Sequence, residues 1–225
     1  MGAGAAGRWA KLLGGLFLYA LAVALMVEGG LGLGPWDAFH LGLARAAGAS
    51  VGAANVAVGV AVVAGTWRLG VRPGPGTLAN MVLIGVFIDL LLPVLPPADG
   101  RTAWLYHAAG IVLTGLATGL YIAPGLGKGP RDGLMLGVSA ATGIPAGRVR
   151  TGIEAAVLAL GWAMGGTIGV GTVLFALAIG PVTQWGLRAF GVPDGGRPHP
   201  ARRSAARRHS PQPAHPPAPH PPWDS

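Results

Sequence analysis

Gly30-Leu-Gly-Leu-Gly-Pro-Trp-Asp37 returns 95 residues later as Gly125-Leu-Gly-Lys-Gly-Pro-Arg-Asp132. The match continues without a gap. Leu41-Gly42 meets Leu136-Gly137, Trp67 meets Trp162, Gly74-x-Gly76-Thr77 meets Gly169-x-Gly171-Thr172, and Gly85 meets Gly180. About a third of the 60 pairs that align Gly30–Asp89 with Gly125–Gln184 are identical, rare Pro, Asp and Trp among them. Self-similarity at one fixed period marks a duplicated unit.

Composition places that unit in a membrane. Hydrophobic residues make up 52% of the chain and charged residues 11%, and the mean hydropathy is +0.55. Glycine is abundant without the triplet period of collagen. Backbone groups in hydrocarbon must bond internally, which leaves helix bundles or closed barrels, and long apolar runs fit helices rather than short alternating barrel strands. Cysteine is absent, so thiol chemistry and disulfides are too. The net charge of +8 raises the question of nucleic acid, but the basic residues fall in loops and a tail, where a membrane protein keeps them for topology. No nucleic-acid partner is expected; the expected surroundings are a lipid bilayer.

Six spans are predicted, at 10–28, 52–70, 77–96, 103–123, 147–165 and 171–190, each near the ~20 residues that cross ~30 Å of hydrocarbon. Pro35–Ala47 and Pro130–Thr142 read as short helices. At ~1.5 Å per residue they reach ~20 Å and cannot cross. The fold expected is an all-α integral membrane protein of about six transmembrane helices, built as two inverted three-helix repeats, each with a short half-helix. The division expected is a cytoplasmic N-terminus at 1–9, repeats at 10–96 and 103–190, an extracytoplasmic linker at 97–102, and a disordered Pro/Arg/His-rich cytoplasmic tail at 191–225.

Charge supports the inversion. With both termini cytoplasmic, fourteen of the sixteen Lys and Arg lie inside and only Arg45 and Arg101 outside. Equivalent loops exchange their basic residues: Leu33 and Trp36 become Lys128 and Arg131, whereas Arg68 and Arg72 become Ala163 and Thr167. The positive-inside rule demands that exchange of an inverted duplicate. A bacterial cytoplasmic membrane is the expected location.

The Gly-x-Gly-x-Gly-Pro-x-Asp segments are the strongest candidates for function. Pro35 and Pro130 suit the first helical position, where no N–H is needed. Asp37 and Asp132 then complement the positive end of a helix dipole. Gly34 and Gly129 let the backbone turn and approach a neighbour closely. Half-helix ends of this kind form substrate or ion sites in inverted-repeat transporters; the plainer alternative is a helix start with glycines for packing. Ionisable residues inside spans are rare and costly, which adds Asp89 and Glu154 as ion- or proton-coupling candidates. Arg150 stands four residues before Glu154 and can neutralise it. His40 shares a face with Asp37 and reads either as a relay or, like His107, as an interfacial side chain. Asn55 and Asn80 can bond between helices. Glu28 ends the first span. The tail histidines lack ligand-like spacing, and no metal or cofactor is expected. No Ser–His–Asp grouping, His-Glu-x-x-His or Gly-x-x-x-x-Gly-Lys is present, so no enzyme activity is expected.

The residues Gly32-x-Gly34-Pro35-Trp36-Asp37, Gly125-x-Gly127-x-Gly129-Pro130-x-Asp132 and Gly171-Thr172 resemble the YczE/YitT-like family of bacterial integral membrane proteins. The resemblance covers roughly residues 10–190 and leaves the tail outside. It implies a membrane location and this architecture, with no established activity and no catalytic residues to carry over. The leading expectation is a secondary transporter or exporter of a small solute, with a second copy of the chain as a candidate partner. The rivals are a non-transporting accessory for another membrane or biosynthetic protein, and a channel.

Overall fold

The computed structural model describes residues 4–127 and 129–192. From residue 193 onward the expected tail lies outside the described residues. Among those described there are eight α-helices, one 3-10 turn and no strand: α1 Ala5–Gly29, α2 Pro35–Ala47, α3 Val51–Arg68, α4 Pro75–Leu91 with the turn Leu92–Val94, α5 Gly100–Ile122, α6 Pro130–Thr142, α7 Ala146–Ala163 and α8 Val170–Ala189. The starts of α5 to α8 each fall 95 residues after those of α1 to α4, so the duplication in sequence is a duplication of elements. Helices α1, α3, α4, α5 and α8 are long and apolar enough to cross a membrane. The fifth predicted span, 147–165, corresponds to α7, which is 18 residues long and carries Arg148, Arg150 and Glu154 near its start.

The short helices have the bounds the proline and glycine signals dictate. Extended Gly34 and Gly129 precede Pro35 and Pro130, and Gly48 (φ 63°) and Gly143 (φ 71°) end the two helices in the left-handed region. Gly32 (φ 119°) and Gly127 (φ 144°) also hold conformations that side chains avoid, and each is crowded. A Cβ at Gly32 would lie 2.6 Å from the Gly169 nitrogen, and one at Gly127 would lie 2.8 Å from Thr77 Oγ1.

Equivalent helices α1 and α5 pack against each other antiparallel along their length. Arg8 donates to the Pro124 carbonyl at 2.8 Å, and Gly29 faces Ala103 at the other end. Between them, a Cβ at Gly15 would sit 2.7 Å from the Tyr121 nitrogen, and one at Gly110 would sit 2.5 Å from Met26 Cγ. Gly15 and Gly110 are repeat mates, as are Met26 and Tyr121, so the contact is reciprocal. The same reciprocity governs the approaches to the short helices. Gly171 N–H donates to Leu31 O at 2.8 Å, and its mate Gly76 N–H donates to Leu126 O at 2.8 Å. Each short helix packs on the other repeat, α2 on α7 and α6 on α3. Leu12, Leu16, Ala20, Val23, Ile84, Ile88 and Tyr121 form one core cluster; Met26, Leu33, Ala38, Leu41, Ile111 and Phe175 form the other. Large apolar side chains such as Leu105, Leu160 and Leu177 point outward, as a hydrocarbon solvent allows.

The repeats differ in helix packing. Helix α3 packs along α4, but α7 makes no comparable contact with α8.

Close approach at Gly15 sets a test. Gly15→Leu is expected to lower stability by about 1–3 kcal/mol through overpacking, read as a fall in the thermal midpoint of detergent-purified protein. Gly152→Ala, where a Cβ meets nothing within 4 Å, is expected to leave it unchanged or slightly raised. Equal effects of the two would remove the α1–α5 contact as the organising one.

Candidate functional site

Both copies of Gly-Pro-x-Asp line one cavity of about 380 Å³. Gly34, Pro35 and Asp37 enter it from α2, and Gly129, Pro130 and Asp132 from α6. The two N-termini are joined directly: Arg131 Nη2 lies 3.5 Å from Asp37 Oδ1. The guanidinium also stands over the Trp36 ring, 5.0 Å from its centroid. Trp36 and Arg131 are repeat mates, so the site stacks one copy's variable residue on the other's.

The pair has a reason to exist. Asp37 is 5% exposed, and a buried carboxylate is costly unless a cation and hydrogen bonds meet it. Each helix N-terminus adds roughly half a positive charge, and neither has a side-chain cap. The guanidinium and the two helix ends offset the carboxylates, and the centre remains strongly polar.

Two further side chains point to a polar occupant. His40 is 3% exposed and Asn80 9% exposed; both line the cavity, and neither hydrogen-bonds another described residue. His40 keeps only ring contacts, with Trp36 at 6.4 Å and Phe39 at 6.3 Å between centroids. Asn55 does bond between helices, donating to the Met81 carbonyl at 3.3 Å. Tyr19 and Tyr121, edge to face at 6.4 Å, line the wall beside α6.

The other candidates divide. Glu154 lines the rim and is paired with Arg150 at 2.9 Å, both side chains partly exposed. Asp89 lies outside the cavity. It accepts from Ser50 Oγ at 2.6 Å and from Gly52 N–H at 2.8 Å, fastening the end of α4 to the start of α3. His107 is buried rather than interfacial; its Nε2–H donates to the Gly171 carbonyl at 3.0 Å. His40 is likewise buried.

Sequence reasoning gave Arg131 a topological role and did not place it beside Asp37. The available signal was the position itself: at one of the two places where the motif copies differ, the residue preceding the acid changes from Trp to Arg. The tyrosines carried a weaker one, since a phenol inside a span needs a polar neighbour.

The family model described as "Family of unknown function (DUF6198)" matches residues 6–188. The chain is 41% identical over 184 residues to the "Uncharacterized membrane protein YczE" of Bacillus subtilis, covering 80% of this chain and 85% of that one. It is 36% identical over 180 residues to an "Uncharacterized protein" of Haemophilus influenzae, covering 77% and 82%. It is 28% identical over 165 residues to the "Uncharacterized protein YyaS" of Bacillus subtilis, covering 71% and 82%. No solved structure matches the chain.

A double-mutant cycle on the pair tests its coupling. Arg131→Gln and Asp37→Asn are each expected to destabilise, and the double variant less than their sum, with a coupling of about 0.5–3 kcal/mol. Chemical unfolding in detergent measures it; additive effects would mean the 3.5 Å contact carries no coupling.

Proposed function

Because the chain belongs to the DUF6198 family, whose function is unknown, its activity is read from its cavity, and we propose that this membrane protein is a secondary transporter or exporter of a small polar solute. The observation that carries the reading is the convergence of both short-helix N-termini on one cavity. Tyr19 and Thr114, about halfway along α1 and α5, line the same space, which puts the site near the middle of the bilayer if those helices span it. Discontinuous helices that end at mid-depth, with their positive ends toward the ligand, are the transporter arrangement. His40 and Asn80 supply hydrogen bonds to a polar solute.

The topology in this proposal is six spans in two inverted repeats, with both termini on the cytoplasmic side of a bacterial membrane. Antiparallel packing of α1 with α5 supports it. Equivalent helices that cross in opposite senses require an odd number of crossings per repeat. That leaves α2 and α6 as half-helices and makes α7 the sixth span. Arg148 then lies at the cytoplasmic surface, and Arg150 with Glu154 enters as a neutral pair facing the cavity rather than lipid.

Single cysteines in this cysteine-free chain test both levels. Ala49 and Ile144 are repeat mates in the exposed loops after α2 and α6. With a membrane-impermeant maleimide, Ala49→Cys is expected to label in intact cells and Ile144→Cys only in inverted vesicles; labelling from the same side would make the repeats parallel. Met135→Cys, in the cavity wall, is expected to label from both sides. Access from one side under all conditions would assign the chain an accessory role. Access from both, with uncoupled ion conductance in planar bilayers, would make it a channel.

A further inference from the structure

Repeat mates that share a sequence do not share an environment at the α3–α4 and α7–α8 seams. Gly52 of α3 and Gly85 of α4 touch through their backbones, and a Cβ at Gly85 would lie 2.6 Å from the Gly52 carbonyl. Their mates, Gly147 of α7 and Gly180 of α8, face nothing; a Cβ on either would find no atom within 4 Å. Helix-interior glycine is unfavourable where no close approach requires it. The second repeat thus keeps the small residues of a helix contact that it does not make.

The cavity records the same asymmetry. On the α7–α8 side it runs out past Arg150 and Glu154 of α7 and past Thr183 and Leu187 of α8. On the other side it reaches Asn55 and Gly59 of α3, the mates of Arg150 and Glu154, but on α4 it stops at Ile84, and Ile88, the mate of Thr183, is 1% exposed in the core. One seam is shut and its counterpart is open.

We infer that α7 closes on α8 in a second conformer, along Gly147 and Gly180, while α3 releases α4. The residues at the open seam are ready for it. Gly59 and Met81 meet across the shut seam, a Cβ at Gly59 lying 2.5 Å from Met81 Cγ. Their mates are Glu154 and Ala176, so the large side chain has moved to the other helix and the small one faces it; the seam's volume is conserved. Asn55 donates to the Met81 carbonyl at 3.3 Å in the shut seam, and its mate Arg150 can donate to Ala176. Asp89 accepts the free Gly52 N–H at the start of α3. Its mate, Gln184, brings an amide oxygen for the corresponding N–H of Gly147, at a helix start that has no side-chain cap. Exchange of the two seams closes the present mouth of the cavity and opens one at the opposite end. The inference builds on the two-repeat reading above and supplies its motion.

Disulfide trapping tests it, because an irreversible crosslink accumulates even a minor conformer. Ser50→Cys with Asp89→Cys reports the seam shut in this structure. Pro145→Cys with Gln184→Cys, their mates, reports the seam shut only in the other. Copper phenanthroline in native membranes is expected to crosslink both pairs. Gly180→Leu meets no neighbour here, so it is expected to leave the first crosslink intact and to reduce the second about tenfold by overpacking the closed seam. Failure of the second pair to crosslink where the first does overturns the inference, as does insensitivity of the second pair to Gly180→Leu. The first pair's crosslink certifies that the variant is folded. Crosslinking of both pairs with Met135→Cys labelled from one side only would retain the motion and remove transport.

Discussion

The antiparallel contact between α1 and α5 fixes almost everything else. These are the same helix in two copies, brought together at glycines where one backbone meets the other's side chains. In hydrocarbon there is little hydrophobic drive between helices, so close packing at small residues has to supply the association. Once two equivalent helices run in opposite directions side by side, the approaches to the short helices follow by reciprocity. Leu31 takes the amide of Gly171 and Leu126 that of Gly76. The segments between, turned by Gly32 and Gly127, then lead α2 and α6 inward toward each other.

The meeting point is where the two copies stop being equal. A pair of aspartates at matched positions and two helix ends would by themselves make a symmetric centre. Arg131 over Trp36 breaks it, since one copy contributes a cation and the other the ring and carboxylate that hold it. The asymmetry of the outer seams adds to this chemical one: α3 is fastened to α4 by Asp89, while α7 stands away from α8.

Much of the fold was legible because the repeat constrained it twice. The bounds of α2 and α6 agree with Pro35–Ala47 and Pro130–Thr142, since proline starts and left-handed glycine stops act within the segment itself. Helix α1 extends back to Ala5, ahead of the predicted span at 10–28, and there Arg8 meets the Pro124 carbonyl, a partner no local pattern reveals. The motif residues that line the cavity were visible in the same way, as features occurring in both copies. Asp89 was visible as a costly charge, but its partners at Ser50 and Gly52 lie on another helix. Arg131 was hidden by an equally good explanation of its charge, the bias of basic residues to one side. The two histidines were hidden because periodicity reports a helix face and not what covers it.

The crossed packing of the short helices bears on how the chain is made. When the first four helices have left the ribosome, α2 has no α7 to rest on and the face of α1 that carries Gly15, Met26 and Gly29 has no α5. A polar helix start with its aspartate is then held in the bilayer, or kept out of it, without the residues that neutralise it. Asp37 therefore waits for its cation until Arg131 is made, nearly a hundred residues later.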